Sequence, residues 1–205
     1  MLDAWLAPRL TLTEVGTPSD PLFSIEESPP ATRFIFRGGD SARGSCSRAY
    51  DVDLPERLGM AAMGDDRVAI WLGPDEWLLI AEGVDPDVIA AELEAALAAT
   101  PHGLVDVSHR QIGLDVSGSF AARALSAGCP LDLRLSAFPA GMATRTIFDK
   151  AEIVLWRGED QAFRVEVARS FAPFVVASLM EAAGIRPGSG GNSQIIARDR
   201  KLRIR

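Results

Sequence analysis

Cysteine and histidine are scarce in this chain of 205 residues, which limits the chemistry that it can perform. Cys46 and Cys129 are too few for a disulfide framework or a four-thiolate zinc site, and His102 and His109 add little. We therefore expect no metal site. No stretch reaches the roughly 18 apolar residues of a membrane span, and residues 1–10 lack the basic start of a secretory signal. The sequence predicts a cytoplasmic protein.

Basic residues are also in the minority, with 21 Lys and Arg against 28 Asp and Glu and a net charge of −7. An acidic chain of this kind is a poor candidate for nucleic-acid binding over its whole surface. The apolar fraction of 47% and the charged fraction of 24% are ordinary for a globular protein. The length fits one domain, or two small packed halves.

An internal repeat is present in the middle of the chain, where Trp71-Leu-Gly-Pro-Asp75 and Trp156-Arg-Gly-Glu-Asp160 lie 85 residues apart. An apolar run precedes and follows each copy, which is typical of a β-hairpin. The last run of the first copy, 76–81, is apolar on both faces, as in a buried strand. The last run of the second copy, 162–167, alternates between the apolar Phe163, Val165 and Val167 and the charged Arg164 and Glu166.

A helix is predicted after each hairpin. Asp85 is a suitable N-cap with Pro86 in the first turn, and Ser170 takes the same role in the second copy. Gly184 occupies the position of a left-handed residue at a helix C-terminus. The buried stripes predicted for the two helices are Ile89, Leu93 and Leu97, and Phe171, Phe174, Val175 and Leu179.

The segments 34–40 and 114–120 lie upstream of the two hairpins, 80 residues apart, and resemble each other. Each is predicted to be a strand that leads into a helix at a glycine. Each half therefore has the order strand, helix, strand, strand, helix. The predicted fold class is α+β, with mostly antiparallel sheets and helices on one face. We expect one domain over 31–184 with halves 31–100 and 101–184, an N-terminal arm over 1–30 in which Trp5 serves as an interface anchor, and a flexible basic tail over 185–205.

Candidate catalytic residues are few. Asp106, Ser108 and His109 suggest nucleophilic catalysis, but adjacent Ser and His side chains of an extended segment point to opposite faces. We interpret Asp106 and Ser108 as a turn before the strand 111–116. Neither 37–40 nor the glycines of 188–191 complete a phosphate-binding motif. Other groups are assigned to the core or to solvated turns: Trp71, Trp77 and Trp156 to the core, and Asp75, Glu76, Glu159 and Asp160 to hairpin turns.

Several motifs in a fixed order carry a family resemblance. They are 71–80 (Trp-Leu-Gly-Pro-Asp-Glu-Trp-Leu-Leu-Ile), 106–109 (Asp-Val-Ser-His), 129–133 (Cys-Pro-Leu-Asp-Leu), 138–141 (Phe-Pro-Ala-Gly), 151–156 (Ala-Glu-Ile-Val-Leu-Trp) and 169–171 (Arg-Ser-Phe). In these residues the chain resembles the gamma subunits of heterotetrameric sarcosine oxidases, from about residue 67 to 184. That family is similar in fold to the folate-binding domain of the aminomethyltransferase group.

The resemblance implies a small subunit without catalytic, cofactor-binding or metal-binding residues of its own. Its partners would be the larger alpha and beta subunits and the delta subunit, which would hold FAD, FMN, NAD and tetrahydrofolate. Together they would demethylate sarcosine to glycine, releasing formaldehyde or methylene-tetrahydrofolate and hydrogen peroxide. An interaction module of another amine-oxidising complex, acting on a different N-methyl amino acid, is a further possibility.

The alternative is a free-standing folate-binding protein or a folate-dependent one-carbon transferase. Folate-binding relatives carry an acidic element just before the strand that corresponds to 153–156. Here that place contains Asp149 beside Lys150, so we interpret the folate-binding carboxylate as lost. The related iron–sulfur maintenance proteins have a reactive cysteine, and neither Cys46 nor Cys129 lies in such a motif.

Overall fold

The computed structural model of the chain describes residues 22–185, which form ten strands and four helices. Trp5, the glycines of 188–191, and most of the predicted arm and tail lie outside these residues. The elements are β1 (Ser24–Glu27), β2 (Ala31–Gly38), α1 (Asp40–Tyr50), β3 (Ala61–Met63), β4 (Arg67–Gly73), β5 (Glu76–Glu82), α2 (Pro86–Leu97), β6 (His102–Asp106), β7 (Gln111–Ser117), α3 (Ala121–Ser126), β8 (Ala143–Phe148), β9 (Ala151–Glu159), β10 (Ala162–Ala168) and α4 (Ala172–Ala182).

The strands form two five-stranded sheets in which every neighbouring pair is antiparallel. The first sheet has the order β3-β4-β5-β2-β6, and the second has the equivalent order β8-β9-β10-β7-β1. A bridge between Met60 and Met142 joins the sheets at the β3 and β8 edges. There the Ala61 amide donates to Gly141 and the Ala143 amide donates to Gly59, at 3.2 and 3.0 Å. The α+β prediction is confirmed.

Each sheet takes one edge strand from the other part of the chain, so the predicted boundaries need correction. Strand β1 precedes the first half yet pairs with β7, and β6 follows it yet pairs with β2. The second sheet therefore begins at Ser24, inside the segment expected to be an arm, because Phe23 and Ile25 are buried in its core. Strand β6 falls in the expected second half but belongs to the first sheet. The other edge strand of each sheet, β3 in the first and β8 in the second, is also absent from the order predicted for each half.

The repeat is confirmed, but its structural offset in the hairpins is 86 residues rather than 85. Both hairpins carry a β-bulge at an equivalent place, Leu72 in one and Gly158 in the other. Trp71 pairs with Trp77 while Arg157 pairs with Phe163, so Arg157 is the structural equivalent of Trp71. A shift of one residue moves a side chain to the opposite face of a strand. Trp71 therefore packs against the helices, whereas Trp156 packs between the sheets.

The core consists of three layers of side chains. One apolar cluster lies between α1, α2 and the first sheet, and another lies between α3, α4 and the second sheet. The third lies between the sheets and includes Leu78, Ile80, Val154 and Trp156. The two sheets therefore pack face to face, with the helices on the outside.

The predicted helix signals are confirmed in the first half and partly corrected in the second. The Asp85 carboxylate accepts the Asp87 amide at 2.9 Å, and Gly184 has φ of +77°. The N-cap of helix α4 is Phe171 rather than the predicted Ser170, and no side chain caps this helix. Val175 and Leu179 of the predicted stripe are buried, whereas Phe174 is half-buried and Phe171 is exposed. The buried face of α4 also includes Ala172, Val176 and Met180.

The helices within residues 22–185 contain at most 12 residues, and none of them is long and apolar enough to cross a bilayer.

Candidate functional site

Buried charges meet between the two sheets. Glu166 on β10 accepts from Arg33 Nε of β2 at 2.6 Å and from Arg164 Nε at 2.8 Å. Arg164 also donates to Glu82 at the end of β5, at 2.5 Å. Arg33, Arg164 and Glu166 are only 3%, 6% and 2% exposed. The four side chains form a continuous ion cluster that joins the first sheet to the second.

Electrostatics in this cluster favour the ionised state of Glu166. Burial alone would raise the pKa of the Glu166 carboxyl, but the charges and hydrogen bonds of Arg33 and Arg164 outweigh burial and lower it to about 2. Nearby, Asp115 on β7 accepts from the Ser28 hydroxyl at 2.8 Å. Burial raises the pKa of the Asp115 carboxyl, opposed by Arg164 and by that hydrogen bond. The pKa values of Glu166 and Asp115 are therefore shifted in opposite directions.

Gly113 provides the space for the cluster. It pairs with Glu166 across β7 and β10, and a Cβ atom on it would lie 2.7 Å from Ser28 Oγ and 2.9 Å from Glu166 Oε1. The structurally equivalent residue of the first half is Arg33, on β2. A glycine in one half thus gives room to the carboxylate that binds the arginine of the other half.

Two of the cavities among residues 22–185 lie where the halves meet. The smaller, of about 160 Å³, is bounded by both crossovers between the sheets and is lined by Ser28, Arg33, Ser108, His109 and Gln111 among others. The larger has a volume of about 280 Å³. Its wall contains the turn between β3 and β4, the hairpin of β9 and β10, and the side chains of Glu82, Asp115, Trp156 and Arg164.

The Asp-Val-Ser-His segment forms the β6–β7 crossover and has the predicted turn structure. Asp106 Oδ1 accepts the Ser108 amide at 2.8 Å, which is an Asx-turn. Ser108 Oγ accepts the Arg33 amide at 2.9 Å, and His109 is exposed. The serine hydroxyl thus holds β2 beside the crossover, which explains the pattern structurally.

The remaining predicted residues lie mostly where the sequence placed them. Trp77 is buried and donates to the Pro55 carbonyl at 2.8 Å, Trp156 is buried and Trp71 is half-buried. Glu159 and Asp160 are exposed. Glu76 differs from a simply solvated group, because it accepts from Arg145 of β8 at 2.5 Å and so links the two sheets.

Both cysteines lie in the core, apart from each other. Cys46 and Cys129 are buried free thiols, and burial raises the pKa of Cys46 to about 12. Among residues 22–185, no three His, Cys, Asp or Glu side chains are grouped so that they could hold a metal ion.

The carboxylate position expected from folate-binding relatives lies away from the cavities. Asp149 is exposed in the β8–β9 turn with φ of +52°, and Lys150 Nζ lies 4.3 Å from the ring centre of Phe174. Asp149 does not belong to the wall of either cavity between the halves. This residue does not fit a folate-binding carboxylate in those cavities.

Sequence reasoning missed the ion cluster. The sequence pattern places Arg164 and Glu166 on the polar face of a strand, but it does not show that this face is buried. A usable signal was present, since the equivalent strand 76–81 is apolar on both faces, which indicates that both faces of that position are covered. Arg33 and Asp115 had no comparable signal.

The fold and this junction define a class of protein with two equivalent α+β halves. A structure of the same fold is the glycine cleavage system aminomethyltransferase T from Bartonella henselae, at 13% identity and a TM-score of 0.59. The match covers 82% of this chain and 48% of that one, which agrees with the fold expected from the sequence.

The family follows from closer relatives. The model of the sarcosine oxidase gamma subunit family matches residues 39–184. Sarcosine oxidase subunit gamma from Corynebacterium sp. (strain P-1) is 34% identical over 146 residues, 70% of each chain, and that from Arthrobacter sp. is 32% identical over 145 residues, also 70% of each. This chain therefore belongs to the sarcosine oxidase gamma subunit family.

A solved relative extends the similarity beyond the family match. A chain in the structure of heterotetrameric sarcosine oxidase from Corynebacterium sp. U-96, determined in complex with pyrrole 2-carboxylate, has a TM-score of 0.77 and 28% identity. The match covers 89% of this chain and 93% of that chain. Nearly the whole described fold is thus shared.

Proposed function

We propose that this chain is the gamma subunit of a heterotetrameric sarcosine oxidase and that it serves assembly without supplying catalytic groups. The observation that carries the proposal is the similarity over 89% of the chain to a protein in the solved heterotetrameric enzyme. The alpha, beta and delta subunits are its proposed partners, with FAD, FMN, NAD and tetrahydrofolate held in them. The complex would convert sarcosine to glycine with formaldehyde or methylene-tetrahydrofolate and hydrogen peroxide.

The local structure supports a structural role for the groups most suited to chemistry. Asp106 and Ser108 accept backbone amides, and these bonds set the β6–β7 crossover. Both oxygens of Glu166 accept from arginines that cross between the sheets. These polar groups are committed to the fold, as expected in a subunit whose partners perform the reaction.

The proposal is tested by expressing the full chain with affinity tag from its native gene neighbourhood and purifying what it binds. We expect a yellow complex with larger subunits that produces hydrogen peroxide from sarcosine, as measured by visible absorption and a peroxidase-coupled assay. The same tag on the chain expressed alone is the control for colour and activity.

Two results would contradict the proposal. Recovery of the chain alone and colourless from cells that express the neighbouring genes would show that it is not a subunit. Binding of tetrahydrofolate to the isolated chain with a dissociation constant in the micromolar range, measured by calorimetry, would favour the folate-binding alternative.

A further inference from the structure

Strand β6 is an edge of the first sheet that lacks a neighbour on its outer side. It pairs only with β2, and residues 22–185 place no strand beyond it. The Val107 amide, just after β6, donates to the Arg33 carbonyl at 2.8 Å. Bonded and non-bonded residue pairs alternate along an antiparallel ladder, so this bond fixes the phase of the whole pair. Gly103 and Val105 are therefore bonded to β2.

The backbone groups of the alternate residues of β6 point away from the sheet. These residues are His102, Leu104 and Asp106, and their N–H and C=O groups form a row of donors and acceptors that we call the outer edge of β6. A second extended chain matches such a row, because its own N–H and C=O groups repeat with the same spacing. The outer edge is thus suited to the addition of a strand.

The other edges of the two sheets are guarded against such pairing. Strands β3 and β8 meet through the bridge between Met60 and Met142, and β8 carries the charged Arg145 beyond it. Strand β1 carries the carboxylates of Glu26 and Glu27. Charged side chains and mutual covering are common means by which proteins keep sheet edges from pairing with other chains. These edges are therefore poor sites for a partner strand.

Strand β6 has no such device between its ends. Its sequence is His-Gly-Leu-Val-Asp, and the terminal Asp106 accepts the Ser108 amide within the crossover turn. Val105 is 57% exposed, although its neighbour Ile35 on β2 packs against the apolar layer between the sheets. A strand added beyond β6 would place a side chain about 5 Å from Val105 and shield it from water. The exposed valine and the outward backbone groups both indicate that another chain completes this edge.

The charges beside the outer edge indicate which kind of chain fits it. Helix α2 packs beside β6 and carries Asp87, Glu92 and Glu94 but no basic residue. Glu94 reaches the edge itself, since its carboxylate lies 3.3 Å from His102 Nε2. Two copies of this chain that paired through β6 would bring two acidic helices together, and each copy has a net charge of −7. Self-pairing is therefore opposed, whereas a strand with basic residues is attracted.

We propose that an extended segment of one of the larger subunits adds to the first sheet beyond β6. Its backbone bonds to the outer edge around Leu104, one of its apolar side chains covers Val105, and a Lys or Arg side chain pairs with Glu94. This inference rests on the proposed function and names the surface through which the subunit joins the complex.

The first test places a charge on the outer edge of the tagged full chain with Val105→Lys. The matched control is Val88→Lys, the same substitution at a position of α2 that is 49% exposed. The new lysine repels a basic segment, so we expect about tenfold or greater loss of captured larger subunits for Val105→Lys and little loss for Val88→Lys. Circular dichroism confirms that both variants fold.

The second test removes the outward amide of Leu104 with Leu104→Pro. No bond to β2 is lost, because proline is tolerated on an edge strand where the N–H points away from the sheet. The Leu104 side chain packs against the helix-side core, so Leu104→Ala is the control that shortens the side chain and keeps the amide. We expect capture to fall at least several-fold further for Leu104→Pro than for Leu104→Ala. Equal capture by the two variants contradicts the inference.

Hydrogen exchange of the purified complex examines the outer edge without a substitution. The amides of Gly103 and Val105 are bonded to β2 and serve as internal references. If a partner strand is present, the Leu104 amide exchanges about as slowly as these two. Exchange of Leu104 at least about tenfold faster than the references would overturn the inference, whether or not the proline variant folds.

The remaining outcomes separate this inference from the proposed function. Unchanged capture by Val105→Lys, beside normal capture by the wild type, overturns the inference and leaves the function intact. Failure of the wild type to capture any larger subunit overturns both. A dimer of the isolated chain, detected by sedimentation and lost in Val105→Lys, would assign the edge to a second copy. Loss of Leu104 protection on deletion of 1–21 or 186–205, with capture retained, would assign it to the chain's own termini. Either result would show that the proposal is wrong.

Discussion

Strands β5 and β10 occupy equivalent central positions in their sheets, yet they meet the opposite sheet with different chemistry. The register of the two hairpins makes Leu78 equivalent to Arg164 and Ile80 equivalent to Glu166. The first pair is buried in the apolar layer between the sheets, and the second belongs to the ion cluster. The fold therefore accepts either chemistry at this position when every charge finds a partner.

The difference lies in how the contacts specify position. Apolar contacts are non-directional, so Leu78 and Ile80 stabilise the junction through the area that they bury. The bonds of Glu166 with Arg33 and Arg164 have a fixed geometry, and one of these arginines comes from each half. The apolar half supplies cohesion, and the charged half adds a defined register between two similar sheets.

The largest expected effect on stability comes from Glu166→Gln, which removes the central carboxylate of the ion cluster. The substitution leaves Arg33 and Arg164 buried without the carboxylate that compensates them. Removing one member of a buried ion pair costs about 3–5 kcal/mol, and we expect a loss of this size in the free energy of unfolding. Urea denaturation followed by tryptophan fluorescence measures it. A loss below about 1 kcal/mol would show that the cluster is not fully desolvated.

The matched control converts the charged side to the apolar chemistry of the first half, with Arg33→Met, Arg164→Leu and Glu166→Ile together. Replacing the buried members of an ion cluster by apolar side chains is often neutral or stabilising, and Glu82, the member that stays, is only half-buried. We expect the triple variant to be at least as stable as the wild type. Stability as low as that of Glu166→Gln would mean that packing, rather than unpaired charge, explains the single variant.

Much of the fold could be predicted because the local signals agree with it. The two hairpins, the Asp85 cap and the glycine at 184 are each encoded by a few neighbouring residues. The exchanged edge strands could not be predicted, because the pairing of β1 with β7 depends on contacts about 90 residues apart in the sequence. The sequence alone indicates a repeat offset of 85 residues because Trp71 then aligns with Trp156. In the structure these two tryptophans lie on opposite faces of their sheets, so the offset in the hairpins is 86.

The candidate site was less accessible to sequence reasoning. The turn at Asp106 and Ser108 followed from local chemistry and is confirmed. The ion cluster needs the packing of two sheets, which brings Arg33 to Glu166 across 133 positions of sequence. A polar strand face carries no information about whether it meets water or another sheet, unless it is compared with its apolar counterpart.

A smaller effect is expected at Gly113, which stands where the first half has Arg33. Gly113→Ala would place a Cβ atom 2.7 Å from Ser28 Oγ and 2.9 Å from Glu166 Oε1, so the cluster must move. Overpacking of this kind costs about 1–3 kcal/mol in the free energy of unfolding. Gly158→Ala is the control, since nothing lies within 4 Å of its added Cβ. Equal losses for both would show that backbone entropy, rather than the cluster, is responsible.

The smallest expected effect separates the two buried carboxyls by pH. The pKa of Glu166 is lowered from 4.5 to about 2, so its stabilisation is complete above pH 4.5 and is lost as the pH falls towards 2. The pKa of Asp115 is raised above 3.8, so its ionisation opposes folding at neutral pH, and this cost disappears on acidification. Asp115→Asn should therefore raise the free energy of unfolding at pH 7 by less than about 1 kcal/mol, because the bond from Ser28 can be kept.

The advantage of Asp115→Asn over the wild type should vanish near pH 3, where both side chains are neutral, while Glu166 continues to lose its contribution in both proteins. Urea denaturation at pH 7 and pH 3 measures the difference. Asp53→Asn, at an exposed position, is the control and should show little change at either pH. If Asp115→Asn is less stable than the wild type at pH 7, then its surroundings compensate the Asp115 carboxylate. In that case the ionised forms of both Asp115 and Glu166 stabilise the junction between the sheets.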